Sequence, residues 1–259
     1  MTLQACAEIV QRGDPERFSA AMAAPVTARR VLFPLYAFNF EVARAPWVSK
    51  EPMIAEMRLQ WWRDALEEIA EGRPVRKHEV TLPLAEVITP EIARELDRLI
   101  QARRWDIYKE AFEDEDHFAD YLTKTGGELM WAAAAALGAD RDLDPTLAHP
   151  REAIRLFGQA CAFVRFMKAV PALEARGRIP LVDGRPAAIS QRAADFQRTI
   201  GGEMVMRRRV IQQARPAILE GWQTAPLLRQ IAQNPTRVAD GSIGLSEFRK
   251  RSRLVRWAL

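Results

Sequence analysis

The chain has 259 residues, of which 48% are hydrophobic and 28% are charged. It is therefore long and apolar enough to bury a sizeable core, and its composition excludes intrinsic disorder. Its formal charge is +4, and nearly all of the basic residues are arginine. Alanine, leucine, arginine and glutamate dominate, and these are good helix formers. The composition therefore predicts an all-α protein.

Hydrophobic periodicity predicts a succession of amphipathic helices along the chain. After a turn-rich connection at 178–186, the same pattern resumes. No repeat or linker divides the sequence, so we expect one helical domain over residues 1–259. The predicted helices are 53–72, 90–108, 117–138, 151–178, 189–213, 217–232 and 244–259.

Three of these segments carry more specific expectations. In 53–72, Met53, Met57, Trp61 and Ile69 fall close to one stripe, as in a helix that packs along that side. Gly126 and Gly127 cost helix stability, which indicates close packing or a ligand against the backbone. Pro171 predicts a kink or a break within 151–178. The acidic run EDED at 113–116 is expected to cap the helix that follows it.

Cysteine, histidine and targeting patterns exclude several classes of function. Cys6 and Cys161 lack metal-ligand spacing, so we expect reduced, buried thiols. His78, His117 and His149 are scattered at expected surface positions, which gives no support to a zinc site or a catalytic triad. There is no secretory signal, and the longest weakly polar run is shorter than the roughly 20 residues that span a bilayer. These features predict a soluble, cytoplasmic protein.

Four sequence landmarks follow one another along the chain: LYAFNFEVAR (35–44), RLQWWRDALEEIAEGRP (58–74), DYLTKTGGELM (120–130) and GQACAFVRFMKAVPALEARGRIPL (158–181). Together, in this order, they resemble the squalene/phytoene synthase family. The resemblance implies a single-domain isoprenoid-synthase bundle of helices around a central cavity. In that family, two aspartate-rich helices face the cavity and hold Mg²⁺, which bridges the diphosphates of two prenyl substrates.

The aspartates that the resemblance leads one to expect are missing. Tyr36 to Phe38 match the frame of the first helix, but its acidic positions hold other residue types. Alignment of the second motif on Gly177 and Arg178 gives the same result. Mg²⁺ is expected in active relatives, but its ligands are absent here, so we expect no metal and no cofactor. The positions of the missing acids are Ala43, Arg44, Trp47, Ala169, Ala172 and Leu173.

Arg44, Arg165 and Lys168 place positive charge where the resemblance locates the metal ions, and Arg58 follows at the start of the next helix. These cations could bind a phosphate or a carboxylate directly. Alternatively, they could pair with Glu41, Glu56, Asp64 or Asp106 and seal an empty cavity. The aromatic residues among the cavity candidates could equally be core. The candidates to line the cavity are Tyr36, Asn39, Phe40, Ala43, Trp61, Trp62, Gly126, Gly127, Cys161 and Ala169.

Three functions remain open from the sequence. The segments LYAFNFEVAR and EMRLQWWRDALEEI are most similar to a branch of this family that lacks the aspartates and includes an assembly factor for respiratory complex I. That similarity favours a non-catalytic assembly or binding factor, with respiratory complex subunits or a prenyl or lipid ligand as partners. The first alternative is an active head-to-head prenyl transferase with a cationic diphosphate site.

The second alternative is a basic module at a membrane surface. The C-terminal stretch interleaves aromatic and aliphatic residues with Arg249, Lys250, Arg251 and Arg253, as in helices that lie on anionic lipid. A terminal helix docked on the domain with its basic face in water would show the same pattern. No nucleotide or nucleic-acid motif is present, so nucleic acid is not expected as a partner.

Overall fold

The computed structural model describes residues 2–139, 150–201, 203–208 and 210–258, and these residues form helices without a single strand. The prediction of an all-α fold is confirmed. The α-helices are α1 (Leu3–Gly13), α2 (Pro15–Ala23), α3 (Val26–Arg44), α4 (Pro52–Ala70), α5 (Thr81–Ala85), α6 (Pro90–Ala102), α7 (Glu115–Leu122), α8 (Glu128–Ala136), α9 (Pro150–Glu174), α10 (Pro186–Ile200), α11 (Glu203–Arg208), α12 (Arg215–Ile218), α13 (Thr224–Gln233), α14 (Thr236–Ala239) and α15 (Glu247–Ala258).

Side-chain caps fix where several helices begin. The Arg17 backbone N–H donates to the Asp14 carboxylate at 3.0 Å, which caps α2. Thr89 caps α6 in the same way, and Pro90 follows it at a position that needs no N–H donor. Asp114, within the acidic run, accepts the His117 N–H at 2.7 Å and caps α7. The capping role predicted for that run is confirmed.

Helix α4 presents apolar residues on two sides, and only one of them packs into the core. Leu59, Trp62 and Leu66 are buried, whereas Met53 and Met57 are 74% and 67% exposed. The stripe chosen from periodicity, with Met53 and Met57 in it, is therefore turned towards solvent over the first half of the helix. Periodicity could not distinguish the two stripes because both are spaced for a helix.

The segment predicted as one helix over 117–138 is divided by a π-helical turn, Thr123–Gly127. A Cβ atom added at Gly126 would lie 2.5 Å from the Gly158 carbonyl oxygen, and one added at Gly158 would lie 2.5 Å from the Gly126 oxygen. The backbones of this turn and of α9 therefore touch. The close packing predicted from Gly126 and Gly127 is confirmed.

Helix α9 continues through Pro171 as far as Glu174, so a break at Pro171 is wrong, and the alternative of a kink there stays a prediction. Pro171 lies within the last turn, where its missing N–H removes one hydrogen bond, and the nearby Val170 and Leu173 are buried in the core.

Among the described helices, α9 is the one long and apolar enough to cross a membrane by length and composition. More than half of that stretch is buried inside the protein, as expected for a core helix.

The remaining predicted helices are shorter than expected. The segment 90–108 is α-helical as far as Ala102 and continues as a 3₁₀ turn, Arg103–Asp106. Helix α10 ends at Ile200, and Gly201 caps it with a φ of 62°, a left-handed conformation that favours glycine. The expected helix 217–232 is assembled from α12, a 3₁₀ turn at Leu219–Gly221, and α13.

Candidate functional site

A cavity of about 340 Å³ lies between the C-terminal end of α3, the π-helical turn and α9. The 3₁₀ turns Ala45–Trp47 and Arg103–Asp106 complete its wall, and α2 contributes Arg17. Its lining combines apolar side chains with four arginines and a single carboxylate. The polar lining residues are Arg17, Arg103, Asp106, Tyr121, Thr125, Arg165 and Arg176.

Five of the six positions where the family's acids would fall line this cavity. Ala43 and Trp47 lie on one side, and Ala169, Ala172 and Leu173 lie on α9. The sixth position, Arg44, lines a different pocket. The two walls that resemblance assigns to the aspartate helices are therefore present, but they offer methyl, isobutyl and indole groups to the cavity.

A buried ion-pair network lies on one side of the cavity. Glu220, whose side chain is only 1% exposed, forms ion pairs with both Arg17 and Arg165. Arg165 Nη2 donates to Glu220 Oε2 at 3.1 Å, and Arg17 Nη1 donates to Asp14 Oδ2 at 2.9 Å. Burial opposes the charge on Arg17, but Glu220 and Asp14 outweigh it and raise the pKa of Arg17. The buried Arg17 and the partly exposed Arg165 are therefore both paired.

A second network closes the other side of the cavity. Arg103 Nη1 donates to Asp106 Oδ2 at 3.2 Å and to Tyr121 Oη at 2.7 Å. Tyr121 Oη lies 3.1 Å from both oxygens of Asp106, to which it donates its proton. Burial raises the pKa of Asp106 in spite of Arg103, and burial also raises the pKa of Tyr121. The phenol therefore stays protonated at neutral pH and acts as a donor.

Arg178 holds the backbone of the turn that carries this second network. It donates to the backbone carbonyls of Trp105 and Asp106 at 2.7 and 2.8 Å. Its guanidinium carbon lies 4.2 Å from the centre of the Trp105 ring, within cation–π range. Arg178 therefore holds the 3₁₀ turn that carries Arg103 and Asp106. It is the arginine of the Gly177-Arg178 pair on which the second motif was aligned.

The lining does not fit a magnesium site. Mg²⁺ requires oxygen ligands in near-octahedral geometry and is normally held by carboxylates together with substrate phosphates. Among the residues that the structure describes, Asp106 is the one carboxylate that lines the cavity, and Arg103 and Tyr121 already bind its oxygens. Over residues 2–139, 150–201, 203–208 and 210–258, no group of three or more His, Cys, Asp or Glu residues is arranged for a metal ion.

The cations selected from the sequence separate into three environments. Arg165 lines the cavity. Lys168 lies outside it and pairs with Glu16 at 2.8 Å. Arg44 and Arg58 line a separate surface pocket of about 230 Å³. Arg44 pairs there with Glu41, one of the acids expected as partners if these cations form ion pairs. Arg165 and Lys168 pair with Glu220 and Glu16, which were not among the expected partners.

The other candidates are also divided. Ala43, Gly126 and Ala169 line the cavity, and Trp61 and Trp62 line the surface pocket. The rest lie in packed interior that the cavity does not reach. Tyr36 is buried under Arg17, Asn39 is buried within α3, Phe40 packs over Gly13, Gly127 packs on the backbone of Arg155, and Cys161 contacts Thr224 through its thiol.

Apart from Arg165, the arginines that give the cavity its charge were not among the candidates selected from the sequence. Arg17, Arg103, Arg176 and Tyr121 line it, and Glu220 holds Arg17 and Arg165. Tyr121 lies inside a quoted motif and could have been selected from it. Glu220 lies about two hundred residues from Arg17 and belongs to no motif, so only the packing of the Leu219–Gly221 turn reveals its role.

The C-terminal helix is docked on the domain. Trp257 is buried and stacks on Phe157 with ring centres 5.9 Å apart. Arg253 donates to the Trp222 carbonyl oxygen at 3.1 Å, and Lys250 pairs with Glu247. Arg249 and Arg251 face solvent.

The two thiols, Cys6 and Cys161, are buried and free, as predicted. His149 and its neighbours 140–148 lie outside the described residues.

A shell of α-helices around one cavity, with two cavity walls in the register of metal-binding helices, defines a protein of isoprenoid-synthase fold. Residues 10–239 match the squalene/phytoene synthase family, and the chain belongs to that family. The crystal structure of a dehydrosqualene synthase covers 98% of this chain and 94% of its own, with a TM-score of 0.77 at 14% identity. Squalene synthase HpnC from Alicyclobacillus acidocaldarius matches with a TM-score of 0.58 at 16% identity, over 99% of this chain and 91% of its own. These likenesses confirm the fold.

The chain also matches curated proteins from several organisms. The NADH dehydrogenase (ubiquinone) complex I, assembly factor 6 of Mus musculus is 25% identical over 67% of this chain and 51% of its own length. The homologue from Drosophila melanogaster is 26% identical over 68% of this chain and 53% of its own length. The chain thus spans about half the length of the curated relatives that it matches. The family includes prenyl transferases, whereas these relatives are named as assembly factors.

Proposed function

We propose that this chain is a non-catalytic assembly or binding factor that acts on respiratory complex I or on its components. The named function of the curated relatives supports this proposal. The observation that carries it is the replacement of acids on both cavity walls. Prenyl transfer in this family depends on Mg²⁺ to stabilise the leaving diphosphate, and Ala43, Trp47, Ala169 and Leu173 supply no oxygen ligand for it.

Loss of the gene is the direct test of this function. In the source organism, deletion is expected to lower the amount of assembled complex I on native gels and the NADH:ubiquinone oxidoreductase activity of membranes. The intact gene should restore both, and respiratory complexes other than complex I provide the control. Unchanged complex I in the deletion strain would refute the assembly role.

Incubation of the purified protein with farnesyl or geranylgeranyl diphosphate and Mg²⁺ tests the absence of catalysis. We expect no coupled prenyl product. A product that is lost in the Arg165→Ala variant would instead establish an active prenyl transferase with a cationic diphosphate site.

We also propose that the cavity binds one amphiphile with a single anionic head, such as a prenyl phosphate or a fatty acid. Its volume of about 340 Å³ lies at the lower end of the range for sites that enclose one small ligand. Arg165 and Arg176 would bind the head, because guanidinium groups bind phosphates and carboxylates bidentately. Phe166 and Leu173 would pack on the apolar tail.

Thermal unfolding in the presence of a chelator tests this ligand class. A hundredfold excess of farnesyl monophosphate over its Kd is expected to raise the Tm by about 5 °C or more, because binding to the native state stabilises it by about 2.7 kcal/mol. Farnesol, which has the same tail without the anion, should have a smaller effect. Equal shifts with the two compounds, or a shift that requires Mg²⁺, would contradict the proposal.

The cytoplasmic location stays a prediction. Contact of the basic residues Arg249, Lys250, Arg251 and Arg253 with a membrane surface also stays a prediction.

A further inference from the structure

An apolar stripe on the outward side of α4 is exposed at Met53, Ile54 and Met57, whereas its last residue, Trp61, is partly buried. Met53, Met57 and Trp61 recur at four-residue spacing, and Ile54 lies beside them. Met53 and Met57 are largely exposed, and Ile54 is partly exposed. The opposite side of α4 packs on α6 through Leu59 and Leu66, so the core does not need the outward stripe. Three large apolar side chains on one exposed helix face indicate an interaction surface.

The surface pocket described above lies at the end of this stripe. Trp61 belongs to both, and its ring contacts Trp62 and His78 edge-on at centre distances of 5.0 and 5.3 Å. Tryptophan and arginine are the side chains that most often dominate the energy of protein interfaces, and methionine adapts its shape to a partner. The stripe and the pocket therefore form one continuous surface, which we call the α4 face: Met53, Ile54, Met57, Arg58, Trp61 and His78.

The pocket has an excess of positive charge. Arg58 is exposed and forms no ion pair or hydrogen bond with the residues that the structure describes. Arg44 is half exposed, pairs with Glu41 at 3.0 Å and lies over the ring of Phe40. The Val80 N–H donates to His78 Nδ1 at 3.2 Å, so the proton of the neutral ring is on Nε2 and can be donated to a ligand. A carboxylate is the complementary group.

We infer that the α4 face binds an amphipathic helix of a partner protein, with an acidic side chain placed in the pocket of Arg44 and Arg58. A helix fits because the residues described here form no strand and so offer no sheet edge to an extended peptide. Met53 to Trp61 spans about 12 Å, which matches the apolar stripe over two turns of a facing helix. This inference rests on the proposed function, because a factor without catalysis acts through contact with its partner.

Photo-crosslinking in the source organism tests the occupant of the α4 face. The full chain carries benzoylphenylalanine at position 57 and, in a matched control, at position 26. Val26 is 70% exposed and begins α3, about 22 Å along the helix from Glu41. Position 57 is expected to crosslink to a protein segment with apolar residues at helical spacing and acidic residues on one flank.

A synthetic peptide of the crosslinked segment then measures affinity for the purified full chain. Met57→Glu and Arg58→Glu are each expected to weaken binding at least tenfold, whereas Val26→Glu leaves it unchanged. Three results would overturn the inference: crosslinking no stronger than at position 26, crosslinking to lipid or to a basic or non-helical segment, or equal affinity of all variants. Circular dichroism of each variant confirms that it is folded.

Complementation separates failure of this inference from failure of the proposed function. If Met57→Glu restores complex I in the deletion strain as fully as the intact gene does, the α4 face is not the docking surface, while the assembly role stands. If deletion itself leaves complex I unchanged, the assembly role fails, and the crosslink alone then decides whether the face binds a helix.

Discussion

At the scale of single residues, Glu220 is the shared anion of the buried ion-pair network beside the cavity. One carboxylate, almost fully buried, pairs with Arg17 from α2 and with Arg165 from α9. Buried cations are costly unless they are paired, because the interior replaces little of the solvation that water provides. Glu220 thus makes it possible for two arginines to lie beside an apolar cavity.

Replacement of this carboxylate should destabilise the protein strongly. Glu220→Gln keeps the shape of the side chain but leaves Arg17 and Arg165 without the shared anion, at an expected cost of about 3 kcal/mol in the free energy of unfolding. Urea denaturation measures the change. Glu247→Gln, which breaks an exposed pair with Lys250, is the matched control and should have a much smaller effect. Equal losses would show that Glu220 is not the centre of the network.

Asp14 makes part of the stability depend on pH. Burial opposes its ionisation, but Arg17 and Arg165 outweigh burial and lower its pKa below the ordinary value of 3.8. The unfolded chain therefore binds a proton at a higher pH than the native state does. The stabilisation from Asp14 is complete above its ordinary pKa and is lost as the pH falls towards the lowered value.

The variant Asp14→Asn should accordingly be less stable than the intact protein at pH 7. The difference in unfolding free energy should narrow below about pH 4, where Asp14 is protonated in the unfolded state. Urea titrations between pH 3 and pH 7 measure the gap. A gap that stays constant over this range would mean that the charge of Asp14 contributes nothing.

At the scale of elements, the contact between the π-helical turn and α9 sets the width of the cavity. Gly126 and Ala162 both line the cavity, and Gly126 meets the backbone of Gly158 without a side chain between them. Any side chain at this contact would move α9 away from the turn. Close-packed interiors tolerate such additions poorly.

Gly158→Ala tests this contact. The added methyl group would lie 2.5 Å from the Gly126 carbonyl oxygen and 2.9 Å from Gly127 Cα, so the backbone itself must move. We expect a loss of about 1–3 kcal/mol in the free energy of unfolding. Gly184→Ala is the control, because no atom lies within 4 Å of the added carbon. If both variants unfold at the same urea concentration, the contact is looser than the structure indicates.

At the scale of the whole molecule, the fold of the family is kept without the acids that its metal site would need. Squalene and dehydrosqualene synthases share this fold, and in this chain Ala43, Trp47, Ala169, Ala172 and Leu173 present alkyl and indole groups at the cavity positions that the family resemblance assigns to those acids. The fold persists because it depends on helix packing, which those few side chains do not control.

Restoring the acids should restore an affinity for metal. In a variant with Ala43→Asp, Trp47→Asp, Ala169→Asp and Leu173→Asp, carboxylates would face one another across the cavity. We expect Mg²⁺ to raise the Tm of this variant and to leave that of the intact protein unchanged, because divalent cations offset the repulsion between clustered carboxylates. Thermal scans with Mg²⁺ and with a chelator measure the shift in Tm. A Mg²⁺-dependent rise in the Tm of the intact protein would contradict the conclusion that its cavity lining does not fit a magnesium site.

The sequence by itself determined the helical class, the family and the loss of the acidic positions. Each of these follows from local features of the sequence: composition, helical spacing, and motifs that each span fewer than thirty residues. Caps such as Asp114 and close contacts such as Gly126 are likewise local consequences of residue type. They could therefore be predicted before the structure was known.

Only the tertiary structure decided which side of α4 faces solvent and which acids hold the cavity arginines. Met53 and Leu59 both obey the helical period, so burial is settled by the position of α6 and not by spacing. Glu220 reaches Arg17 because the chain folds back over about two hundred residues. Pairing across such separations depends on the packed arrangement of all the helices, and no local pattern in the sequence encodes it.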